Sequence, residues 1–243
     1  MAQNNHLNIE QRWDYYREPA ILAASGGAID TISFITLFGL FTAHVTGNLV
    51  VAGAALADNI EGIFTKLAAI PVFMLTVAIA TLIIQSRKTY TPGLLAGVLC
   101  AEIVFLGLFT LCGYLYSPFS GAGDVHVFIT GIFGIMAMGI RNAASRLLLS
   151  STSPSTMMTG NVTQLTIDII SLVRNPAADV RGRLGKSAAS VAGFILGAGI
   201  AALLYMLVGF FSTLLPIALT GSVALREIKT MKTRQQQQQV SVD

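Results

Sequence analysis

The chain has 243 residues, 53% of them hydrophobic and 11% charged, with a mean hydropathy of +0.69 and a formal net charge of +3. A soluble domain carries about 25% charged residues, so polar surface is too scarce here for a water-facing globule and lipid must be much of the solvent. The small positive balance lies in flanks and loops, which makes it a topology signal that says nothing about nucleic acid, and no nucleic-acid partner is expected.

Residues 1–18 form a polar tail expected on the cytoplasmic side, with no short apolar region and cleavage site that would mark a removed signal peptide. A spanning helix needs about 20 mostly apolar residues. Such stretches run at 19–41, 64–86, 93–115, 125–145, 187–208 and 210–225, with shorter ones at 46–57 and 157–173. Runs such as "IPVFMLTVAIATLII" are continuous where a barrel strand would alternate. The expected class is therefore an all-α polytopic integral membrane protein. Cys100 and Cys112 sit on one expected helix, about 18 Å apart at 1.5 Å per residue, too far for a disulfide. The basic, Gln-rich end at 227–243 is expected to be disordered.

Lys and Arg favour the cytoplasmic flanks of spans. Eight crossings would put Arg87, Lys88, Arg141 and Arg146 outside. If 46–57 and 157–173 instead enter and leave on one side, Arg12, Arg17, Arg87, Lys88, Arg146, Arg174, Arg181, Arg183, Lys186 and the tail from Arg226 share one face, and Lys66 alone lies outside. The preferred topology has six crossings plus two short re-entrant helices, N-in and C-in, in the cell inner membrane. Eight crossings is the alternative.

Two matching octapeptides support an internal repeat: "HVTGNLVV" at 44–51 and "MMTGNVTQ" at 157–164. Upstream, Gly27 matches Gly139, Asp30 aligns with Asn142 and Ser33 matches Ser145, an offset of 112 residues. The units are 19–118 and 124–226. With three crossings in each, the second copy is inverted, and inverted repeats place matching elements at the bilayer midplane, where transporters bind substrate.

Thr46-Gly47-Asn48 and Thr159-Gly160-Asn161 read as helix starts at membrane depth. Thr and Asn side chains can cap N–H groups, and Gly allows close backbone approach. Two facing half-helix N-termini would offer donors to an anion or a polar solute. Asp30 lies in an otherwise uncharged stretch, where an ionisable residue is functional by default. Arg141 is its expected partner, because its repeat position adjoins that of Asp30. Glu102 and Asp168 are further candidates for a proton relay, and His44 titrates near neutrality. "GRLGKS" at 182–187 lacks the first glycine of a phosphate loop, the position holding Val180. No metal-site or nucleophile motif is present, so neither metal nor cofactor is expected and the reading is non-enzymatic. "GVLCAEIVFLG" and "GFILGAG" read as close helix packing.

The stretch "SGGAIDTISFITLFGLFTAHVTGN" resembles the opening of the YoaK-type family of bacterial multi-span membrane proteins, and "GIRNAASRLLL" with "MMTGNVTQL" resembles that family's second half. The resemblance covers about 19–225 and implies an inner-membrane protein whose domain has no assigned activity, so it supplies no catalytic residues. The function expected from the residues is a transporter or channel for a small polar or anionic solute, with its site between the two Thr-Gly-Asn segments and proton coupling through Asp30. An intramembrane enzyme acting on a lipid or quinone, or a non-transporting scaffold or sensor, are the alternatives. The expected partners are the lipid bilayer and an unidentified solute, with self-association into a homo-oligomer left open.

Overall fold

The computed structural model describes residues 9–57, 61–87, 91–149, 155–174 and 178–240, and among these no strand occurs. Eight α-helices follow in order: α1 (Ile9–Thr36), α2 (Gly47–Ala57), α3 (Ile63–Gln85), α4 (Pro92–Tyr116), α5 (Val125–Leu147), α6 (Met158–Arg174), α7 (Ala178–Val208) and α8 (Leu214–Val240). Each apolar stretch of the sequence is helical over most of its length. Caps set two of the starts: Thr91 accepts the Leu94 N–H at 3.2 Å beside Pro92, and Asp124 accepts the His126 N–H at 2.8 Å.

Among the described residues, five stretches are long and apolar enough to cross a membrane: Tyr16–Thr36, Ile63–Gln85, Gly93–Tyr116, Val125–Leu147 and Val180–Thr233. The last has 54 residues, about 80 Å of helix against a hydrocarbon core of about 30 Å. A 3-10 turn at Gly209–Thr213 divides it. Helix α8 continues to Val240 and α1 begins at Ile9, so much of both polar ends is helical. The C-terminal stretch expected to be disordered is rich in Lys, Arg, Met and Gln, all good helix formers that extend an existing helix at little cost.

Side-chain contacts give the helix directions. Gly193 and Gly197 of α7 lie on the carbonyls of Ala20 and Ala24, so α1 and α7 run parallel with no room for a methyl group between them. Phe64 meets Phe128 at 5.4 Å and Thr76 meets Gly139, so α3 and α5 are parallel too. Antiparallel pairs are α4 with α5 (Tyr116 to His126, Phe105 to Phe133), α4 with α8 (Thr110 to Thr213, Gly93 to Met231), and α1 with α8 (Ser25 to Thr220, Glu18 to Arg226). Leu22 faces Arg141 while Leu40 faces Gly131, which sets α5 antiparallel to α1. The long helices α1, α3, α4, α5, α7 and α8 thus alternate in direction along the chain.

The small-residue stretches divide. "GFILGAG" packs closely through Gly193 and Gly197, but Gly97 and Gly107 of "GVLCAEIVFLG" have open space where a Cβ would point. Polar and apolar surfaces are also reversed relative to a water-soluble domain. Leu82, Leu203, Met206 and Leu207 are exposed, while Arg141 and Glu102 are fully buried.

Candidate functional site

After α1 ends at Thr36 the chain turns through Phe38 (φ 52°) and Gly39 (φ 81°) and folds back along its own helix. Ser33 and Thr42 share a hydroxyl hydrogen bond of 3.3 Å. The N–H groups of Thr42 and Ala43 both donate to Asp30 Oδ1 at 2.8 Å, and His44 Nδ1 stands 2.6 Å from Asp30 Oδ2. Asn48 locks the bend: its Oδ1 accepts the Phe41 N–H and its Nδ2 donates to the Phe41 carbonyl, each at 2.8 Å. Helix α2 therefore starts beside Asp30, six residues inside the end of α1.

A second fold-back precedes α6. Thr156 Oγ1 donates to Asn142 Oδ1 at 2.8 Å, Ser145 and Ser155 share a bond of 3.2 Å, and the backbone of Ser155 lies against Gly26 of α1. Ser145–Ser155 resembles Ser33–Thr42: each joins a hydroxyl near the end of a long helix to one on the segment that follows. Where the first fold-back has Asp30 and His44, the second has Asn142 and Met157. In both motifs the Asn is buried, the Thr is exposed, and only Gly47 is crowded: a Cβ there would meet the Phe41 ring at 3.0 Å, whereas Gly160 faces open space.

Beside Asp30 lies a cavity of about 540 Å³, lined by Asp30, Thr31, Phe34, Ile35, Phe41, His44, Thr46, Gly47 and Phe194. Asp30 is 4% exposed, while the His44 side chain is 33% exposed. The two Thr-Gly-Asn segments were expected to build one site together. The cavity instead takes Thr46 and Gly47, while Thr159, Gly160 and Asn161 are not among its walls. Helix α2 rests on α3 and α6 on α7. An anion site at the start of α2 also loses its basis, because the N–H groups of Gly47, Asn48 and Leu49 already donate to the carbonyls of His44, Val45 and Thr46.

Arg141 is not the partner of Asp30. It lies level with Leu22 and Ser25 of α1 and forms a two-pronged ion pair with Glu102 of α4 through Nε (2.7 Å) and Nη2. Nη1 donates to the Leu22 carbonyl at 2.7 Å, and Nη2 also donates to Thr220 Oγ1 at 2.7 Å on α8. The Ser25 and Thr220 hydroxyls, 2.9 Å apart, complete the cluster. Adjacency in the aligned sequence did not bring the two residues into contact. Asp168 is 1% exposed at the α6–α7 contact, where its Oδ1 accepts from Gln164 at 3.0 Å and lies 3.6 Å from Arg183 Nε. Glu102 and Asp168 thus hold separate arginines, and neither lines the cavity at Asp30.

Sequence reasoning missed the aromatic wall of Phe34, Phe41 and Phe194, which comes from three separate elements and leaves no local pattern. It also missed Ser25 and Thr220. Hydroxyls inside apolar helices were a usable signal, since such groups bond across helices.

The family described as "Protein of unknown function (DUF1275)" matches residues 19–225. The chain belongs to this family. A curated relative, "UPF0700 transmembrane protein YoaK" of Bacillus subtilis (strain 168), is 32% identical over 152 residues, 62% of this chain. The matched region spans 65% of that relative's length, just under two thirds. No solved structure matches the chain.

Proposed function

We propose that the chain is a proton-coupled transporter of a small solute, with the cavity at Asp30 and His44 as its binding site. The observation that carries this is a buried carboxylate bonded to a half-exposed imidazole in an open cavity, where the chain folds back inside a bundle of apolar helices. Asp30 accepts two backbone N–H groups at Oδ1, and its Oδ2 is left as the acceptor for the Nδ1–H of His44. Nε2 is then the ring nitrogen that can take up or release a proton. With Asp30 in its wall and the first N–H groups of α2 already used, the cavity favours a cation or a neutral polar solute over an anion.

The alternating long helices, the two fold-backs and the matched contacts in each half support an inverted repeat with six crossings, in which α2 and α6 are re-entrant. The Lys/Arg distribution supports an inner-membrane protein with both ends cytoplasmic. Labelling of single cysteines from outside would then mark 117–123 and miss 86–91. External labelling of 86–91 would refute this topology.

The functional test uses proteoliposomes carrying a lumenal pH dye and a panel of small amines and neutral solutes. A gradient of the right solute should move protons in wild type and in Gly160→Ala, but not in His44→Gln. If wild-type and His44→Gln vesicles respond alike to every solute, the coupling reading fails.

A further inference from the structure

The walls of the Asp30 cavity specify more than its coupling. Phe34 and Phe41 meet at 4.7 Å between ring centroids, Phe41 and His44 at 6.3 Å, and His44 and Phe194 at 5.4 Å with their planes at 81°. Three phenyl rings from α1, the fold-back and α7 therefore surround one carboxylate–imidazole pair. Ring faces carry negative quadrupole potential and attract cations with an apolar shell. The carboxylate adds a full negative charge a few ångströms away, in surroundings that screen it poorly. A volume of about 540 Å³ suits a ligand of single-ring size.

We propose, resting on the transport reading above, that this cavity takes an organic monocation, an ammonium group carrying an apolar or aromatic body, in exchange for the proton on His44. In the empty protonated state the Asp30 carboxylate and the His44 imidazolium sum to zero charge. On exchange the Nε2–H bond breaks, the electron pair stays on Nε2, the proton leaves to water, and the incoming cation restores neutrality. Asp30 on α1 is the titratable group that faces His44 among the described residues; α7 presents Phe194 there and α2 presents Gly47. Inorganic cations would gain nothing from the ring faces once hydrated, and anions would meet Asp30.

The test is calorimetric titration of the purified full chain in detergent with three probes of similar size: benzyltrimethylammonium, its neutral carbon analogue neopentylbenzene, and benzenesulfonate. At pH 8 the ammonium should bind at least about tenfold more tightly than neopentylbenzene, with no detectable sulfonate binding. Its affinity should fall as the pH is lowered from 8 to 5 in wild type and stay level in His44→Gln. Phe194→Leu and Phe34→Leu should each weaken the ammonium by about three- to tenfold and leave neopentylbenzene within twofold. These two variants keep Asp30 and its fold-back intact, so they read out the cage even if Asp30→Asn does not fold. Equal affinity for ammonium and neopentylbenzene, or Phe variants that do not discriminate, would overturn the cation site; a pH-independent wild type would overturn the exchange. The measurement involves no membrane crossing. Cation binding without flux in vesicles would therefore refute the transport reading alone, and flux of another solute without cation binding would refute this proposal alone.

Discussion

Glu102 and Asp30 are both carboxylates among apolar helices, but their surroundings are opposite. Glu102 faces Arg141 within a closed cluster from α1, α4, α5 and α8 that has no solvent-exposed atom to spare. Asp30 faces backbone N–H groups and a histidine with one edge open to a cavity. The first arrangement ties four helices at one level and leaves nothing for a ligand to compete for. The second keeps a titratable nitrogen within reach of a solute. Burial of charge is thus common to both places, and the openness of the partner separates them.

The sharpest way to break this comparison is to remove one member of the closed pair. Glu102→Gln should lower stability by about 3–5 kcal/mol, because it strands Arg141 without a counter-charge. The double variant Glu102→Leu with Arg141→Met should recover most of the loss in thermal unfolding in detergent, since an apolar replacement removes both desolvation costs. No recovery would mean that the cluster does more than neutralise itself.

At the open site the expected loss is smaller. Asp30→Asn keeps one acceptor for the fold-back N–H groups, and a cost of about 1–3 kcal/mol follows from its weakened bonds. Combined with Arg141→Gln, the losses should add to within about 0.5 kcal/mol, as for residues with no shared partner. A coupling well above that would show that the two sites communicate. Asn48→Asp should cost a similar amount, because the carboxylate cannot donate to the Phe41 carbonyl as Nδ2 does.

The two motif glycines sharpen the contrast between halves. Gly160→Ala has room and sits in a helix, where alanine is favoured by about 0.5–1 kcal/mol. Gly47→Ala must push the Phe41 ring and should offset that gain. A Tm that rises for Gly160→Ala and not for Gly47→Ala checks this.

The smallest effect belongs to Asp124, which caps α5 at its start. Its carboxyl is held well below the ordinary carboxylate range, first by the His126 N–H and then by the Ser120 hydroxyl and N–H. A depressed folded value means that its contribution is present above the unfolded pKa of about 3.9. It is lost as pH falls through the folded value. Asp124→Asn should therefore flatten the acid limb of the stability profile below about pH 4, with its small loss of stability present at neutral pH and vanishing as the pH falls.

By itself the sequence determined the class, the location of the apolar helices among the described residues and the starts of the two short ones. Bilayer thickness sets the length of an apolar run, and lipid forces each run to satisfy its own backbone. Thr-Gly-Asn and its offset partners marked both bends because those residues make the local bonds that a bend requires, as Asn48 does with Phe41. Only the tertiary structure decided which charges meet. Arg141 was assigned to Asp30 from register, yet a helix crossing places it against Glu102, Leu22 and Thr220, which lie far apart in the chain. It likewise decided that the cavity is walled by Phe34, Phe41 and Phe194 and excludes the second motif, because cavity walls are set by how helices pack, and no stretch of sequence encodes that on its own.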